Sequence, residues 1–172
     1  MEQPSRRALE RGAVFLTRRR SRLSRLIQRK LEPPPASGDL PEDRRRFLLE
    51  EAEELYWNEL SWEQVTEEEG IGESGLVEFT FPGFLAFVEG LLLREVMPDS
   101  LAPARPRPEV VEDILAFLAA RCVELDDSED PDADIERQVT VRLIDLVLYR
   151  QHDIAVEEVE RLEEEAPSPE PE

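Results

Sequence analysis

Residues 82–96 read Pro-Gly-Phe-Leu-Ala-Phe-Val-Glu-Gly-Leu-Leu-Leu-Arg-Glu-Val. A helix built from this stretch carries Phe84, Leu85, Phe87, Val88, Leu91, Leu92 and Leu93 on almost every side. Such a helix needs burial on most of its surface. The expectation is therefore an all-α bundle of five to six helices packed around it, with Pro82 suited to its first turn. Pro82, Glu89, Arg94 and Glu95 interrupt the apolar run, which is too short to cross a bilayer. No transmembrane segment is expected.

Downstream, a proline-rich connection over 97–108 leads to a helix over 109–125. Val111, Leu115, Leu118, Cys122 and Leu125 recur there at 4-3-4-3 spacing. A further helix is predicted over 134–151. Its Val139, Val141, Ile144 and Val147 are partly β-formers, which makes a strand the competing reading there. Residues 155–165 carry a narrow stripe of Ala155, Val159 and Leu162 among glutamates, and 166–172 form a Pro/Glu tail expected to be disordered.

Upstream, a helix is predicted from Pro41 to about Glu59, burying Leu48, Ala52, Leu55 and Tyr56, with Asp39 as a candidate cap. Ser61 and Gln64 form a capping-box pattern that opens a separate short helix ended by Gly70. Gly70, Gly72 and Gly75 mark a loop, and 76–81 has the composition of a short β segment.

The charge distribution divides the chain. Residues 1–31 carry ten basic and two acidic side chains, a net +8; the rest carry eleven basic and 39 acidic, a net −28. The organisation expected is a basic amphipathic helical arm over 1–31, a Pro-rich linker over 32–41 and an acidic helical domain over 42–165. Within the arm, Leu9, Ala13, Leu16, Leu23, Ile27 and Leu31 form one stripe over a helix at 5–31. Arg11, Arg18, Arg22, Arg25 and Arg29 form another, roughly 170° away at 100° per residue. Arg20 interrupts the apolar stripe.

Two uses of the arm follow from its two faces. Leu9, Leu16, Leu23 and Ile27 are candidate partner-binding residues, because an apolar stripe lies in a groove of another protein or of this body. Arg18, Arg22, Arg25 and Arg29 are candidate anion-binding residues, able to hold phosphates of a nucleic acid or headgroups of an anionic membrane. The broken stripe and the lack of a Trp in the arm disfavour the membrane, and the acidic body repels a phosphate backbone.

Other chemistry has little support. The single Cys122 excludes an internal disulfide and lies on an apolar stripe, as a small core residue does. The acidic run Asp126–Glu136 fails as a calcium loop. Counted from Asp126, Pro131 stands where the loop needs glycine and Arg137 where it needs a bidentate glutamate. A weaker echo near Gly75 lacks oxygen ligands. The glutamates of 50–54 and 157–165 have carboxylate-bundle spacing, but one histidine, His152, cannot complete a di-metal site. Tyr56, Trp57 and Trp62 cluster as core aromatics or as an interface hot spot. No catalytic constellation, cofactor or metal is expected.

The sequence therefore points to a non-enzymatic helical adaptor or regulatory protein with a protein partner. Alternatives are a nucleic-acid-associated protein using the arm and a peripheral protein on anionic membranes. A cytoplasmic location is expected, with mitochondrial targeting by the Arg-rich arm as the alternative.

Overall fold

The computed structural model describes residues 4–68, 81–92 and 106–165, and the side chains of these except 61–68. Among the described residues there are six α-helices and no strand: α1 Arg6–Ile27, α2 Glu42–Glu68, α3 Pro82–Leu92, α4 Pro108–Asp126, α5 Pro131–Gln151 and α6 Val156–Glu165. The helix–strand ambiguity at 134–151 resolves as helix α5, because its β-branched residues fall on faces that neighbouring helices cover. Val139, Thr140, Ile144 and Val147 are all buried.

Local signals set most boundaries. Ser5 caps α1, its hydroxyl accepting from the Ala8 N–H at 3.1 Å. The helix stops at Ile27, short of the expected 31. Gln28 takes the left-handed conformation at φ 56°, and the Gln28 and Arg29 N–H groups donate to the Arg25 and Ser24 carbonyls. Asp130 caps α5 by accepting from the Asp132 N–H at 3.0 Å, and Pro131 follows in the first turn.

Two expectations change. The break at Ser61 is not made: α2 runs unbroken through 59–61. No glycine or proline stands there to stop it. Glu59 instead reaches across to the start of α3, accepting from the Phe84 N–H at 2.8 Å. Gly83 leaves room for this, since a Cβ there would lie 2.5 Å from Glu59 Oε1.

The central helix is also not the stretch at 82–96. That place belongs to α4, which packs against α1, α2, α3 and α5. Apolar content in α3 shows that it is buried, with Phe84, Val88 and Leu91 fully covered, but not how many neighbours it has. α4 is longer, and Ala119 and Ala120 let a neighbour come close on a side away from Val110, Ile114 and Phe117.

The chain enters α3 through Phe81, which has φ 45° and is fully buried. A bulky residue rarely adopts that region. Here its ring stacks on Tyr56 at 5.9 Å and meets Phe84 edge-on at 6.5 Å, so aromatic packing opposes the backbone cost. The rest of the expected β segment at 76–81, the glycine loop at 70–75, the weaker calcium-loop echo there, most of the connection at 97–108 and the tail at 166–172 lie outside the described residues. So does the side chain of Trp62.

Candidate interaction face of the first helix

The arm and the body are packed together. α1 runs antiparallel to α4, and the two backbones meet at Gly12. A Cβ on Gly12 would stand 2.6 Å from the Ala120 nitrogen and 2.9 Å from the Ala119 carbonyl carbon. Glycine is thus required by close approach, within a helix where it otherwise costs about 1 kcal/mol against alanine. Ala8, Gly12, Leu16, Arg20 and Leu23 are buried along this line. The covered face is turned roughly 40° from the stripe read in the sequence, counting 100° per residue.

That rotation brings Arg20 inside. Its Nη2 donates to Glu112 Oε2 and to Gln151 Oε1, both at 2.8 Å, and its Nε faces His152 Nε2 at 3.3 Å. Gln151 Nε2 donates to the same Glu112 oxygen. The residue that breaks the apolar stripe is therefore a buried cation with three partners on α4 and at the end of α5. Arg19 adds a two-pronged pair with Asp145 of α5, at 3.1 and 2.5 Å, with both side chains mostly covered. Arg11 reaches Asp127 at 2.8 Å, and Arg29 donates to the His152 carbonyl at 2.6 Å.

The linker is anchored as well. The Ser37 N–H and hydroxyl both donate to Glu109 Oε2, at 2.9 and 2.6 Å, and Arg107 pairs with Asp39. Asp39, expected as a helix cap, makes this ion pair. Arg45 then binds Asp113 through two hydrogen bonds. A spacer that could have held the arm away is tied to the start of α4.

The candidate residues divide accordingly. Leu16 and Leu23 belong to the core, Ile27 is half-buried, and Leu9 remains 41% exposed. Burial of Leu16 and Leu23 against this chain leaves neither as an outward contact. Arg18 and Arg25 are exposed, Arg22 is half-buried, and none of the three makes an ion pair among the described residues. Arg29 is exposed but committed to His152. Arg7 and Val14 share the outer face with Arg18 and Arg25, Val14 being 53% exposed. Ser21 lies among them, exposed.

Groups with reactive potential have structural partners. Burial pushes the Cys122 thiol up to about 12, far from a nucleophile's range. His152 is held down at about 4 by burial first, then by the positive charges of Arg20 and Arg29. Tyr56 is fully buried, donating to Glu136 Oε2 at 2.8 Å beside the Thr140 hydroxyl; Arg121 binds the same carboxylate and lies over the Trp57 ring at 5.0 Å. In the acidic run, Asp126 pairs with Arg137 and Asp130 caps α5. Among the described residues no group of three acidic, histidine or cysteine side chains could hold a metal ion, and no helix is long and apolar enough to cross a membrane.

The chain matches no family model, no curated protein and no solved structure. Its functional reading rests on this geometry. Sequence reasoning missed Gly12 and the Arg20 cluster. Gly12 could have been found, because Ala8, Gly12 and Leu16 at i, i+4 and i+8 are two small residues on a buried line, the pattern of a close helix crossing. The Arg20 partners lie more than ninety positions away and leave no local signal.

Proposed function

We propose that this chain is a non-enzymatic helical adaptor or regulatory protein that works through protein–protein contact, with the outer face of α1 as its contact surface. One observation carries the reading: α1 is fastened to the body along one side and holds Arg7, Arg18 and Arg25 outward on the other, without ion pairs among the described residues. A helix fixed in this way needs no backbone ordering on binding, so only the arginine side chains lose freedom. Arginine also suits carboxylate recognition, because its planar fork pairs bidentately.

A second reading draws on the same arginines. Arg18, Arg22 and Arg25 could contact phosphates of a nucleic acid, and headgroups of an anionic bilayer are the third option. The net −28 outside the arm repels any polyanion, an acidic polypeptide included, and repels most strongly the extended, densely charged surfaces of a duplex or a bilayer.

The test compares the full chain with an Arg18→Glu/Arg25→Glu variant. Binding to polyglutamate, duplex DNA, RNA and anionic liposomes is measured across a salt series. The adaptor reading expects binding to the acidic polypeptide that the variant loses. Tighter, salt-steep binding to DNA or RNA, abolished by the same substitutions, would replace it with the nucleic-acid reading.

A further inference from the structure

Resting on that adaptor reading, we infer that the partner element is an acidic α-helix of another protein, lying lengthwise along the outer face of α1. The face is a ridge, not a plane. Arg7, Val14, Arg18, Ser21 and Arg25 fall within about 60° of one line on the helix at 100° per residue. The line from Arg7 to Arg25 is about 27 Å long at 1.5 Å per residue, and one helix wide. All five residues are exposed.

The borders of the ridge select the shape of the ligand. α6 packs beside α1, and its Glu157, Glu160, Glu163 and Glu164 are exposed. Glu10 is exposed on α1 itself. A bilayer surface or a long duplex extends past the ridge towards the acidic body, whose net −28 repels it. A single helix seated 8–10 Å from the α1 axis meets the ridge and its flanks on α1, where Glu10 is acidic and Arg11 and Arg22 are basic. Its own carboxylates give the charge complementarity that the rest of this surface denies to a wider polyanion.

The spacing also predicts a pattern. Arg25 and Arg18 are two turns apart, Val14 is one turn further, and Arg7 two turns beyond that. An antiparallel partner helix matches them with acidic residues at i, i+7 and i+18, and an apolar residue such as leucine at i+11 facing Val14. The acids would pair with arginines whose spacing the fastened helix sets, and the apolar position would cover the 53% exposed Val14.

The experiment titrates the full chain with three alanine-based synthetic peptides, the first two of one composition. One carries glutamate in this pattern with leucine at i+11, one has the same residues in scrambled order, and one has two central alanines replaced by proline. The expected result is at least tenfold tighter binding of the patterned peptide than of either control, with a tenfold loss on Arg18→Glu. Ser21→Glu should cause a similar loss without touching an arginine, because its carboxylate lies within reach of Arg18 and Arg25 at i−3 and i+4. Unchanged helicity of both variants by circular dichroism keeps the comparison valid. Equal binding of the proline peptide would overturn the inference in favour of an extended acidic segment, leaving the adaptor reading intact. So would equal binding of the scrambled peptide, which would show that charge alone is read. No binding of any peptide at low salt would also overturn it. RNA or anionic liposomes binding more tightly than the peptides, through the same arginines, would overturn the adaptor reading itself.

Discussion

Gly12 of α1 lies against the backbone of Ala120 in α4, so close that a methyl group on Gly12 would stand 2.6 Å from the Ala120 nitrogen. The neighbour is main chain, which has no rotamer by which to yield. Gly12→Ala should therefore destabilise the fold by about 1–3 kcal/mol, the usual cost of overpacking, even though alanine is the better helix former. Ala13→Leu, one position along on the exposed side, should be nearly neutral. Urea denaturation midpoints of the two variants check the contrast.

Arg20 has Glu112 and Gln151 as partners in a mostly covered site. Arg20→Leu would leave the Glu112 charge without its cation. A loss of about 3 kcal/mol is expected, the lower end for breaking a buried pair. Adding Glu112→Leu should return part of that loss, since removing both charges costs less than removing one. A double-mutant cycle on unfolding free energies measures the recovery.

His152 makes stability depend on pH in a defined direction. Its folded value of about 4 lies below the ordinary 6.5. Between those values the unfolded chain takes up a proton that the folded chain refuses. The contribution is thus fully present above pH 6.5 and is lost as pH falls towards 4. His152→Gln retains an acceptor for Arg20 and removes the titration. The wild-type chain should lose more stability than this variant between pH 7 and pH 5, read as the shift in urea midpoint.

Cys122 is buried on α4, with its thiol pushed up to about 12. A thiol reagent at pH 8 should therefore label the native chain only at the rate of opening. In guanidinium chloride the same thiol should react at the rate of an ordinary cysteine. Labelling kinetics followed against denaturant give both rates.

Tyr56 joins α2 to α5 through Glu136 and Thr140 in the core. Tyr56→Phe should cost about 1–2 kcal/mol, because Glu136 keeps the two hydrogen bonds from Arg121 but loses one buried donor. The near-ultraviolet signal of the folded state should persist, with a lowered thermal midpoint.

The helices were legible in the sequence where the governing interactions are local. The 4-3-4-3 spacing of Val111 to Leu125 needs only one helix to be read, whereas α5 starts at Pro131 behind its Asp130 cap, three positions before the expected 134. Ser61 and Gln64 also gave a local signal, but an unbroken α2 prevailed where neither glycine nor proline stops it. The position of the arm was not legible. Its apolar stripe fixes that one side is covered, but the rotation depends on Gly12 meeting Ala120 and on Arg20 meeting Glu112, Gln151 and His152. Those contacts join residues more than ninety positions apart. The candidate arginines were visible as a stripe; that Arg29 is committed to a carbonyl while Arg18 and Arg25 face outward required the fold.

The account stands on α1 being a built-in helix fastened by one side. Amide hydrogen exchange of the full chain at neutral pH measures this directly. Amides of residues 12–26 should be protected to a degree comparable with those of α4, and Arg20→Leu should lower protection in α1 before α4 is affected. Exchange of α1 at the rate of an unstructured peptide, with α4 still protected, would contradict the account.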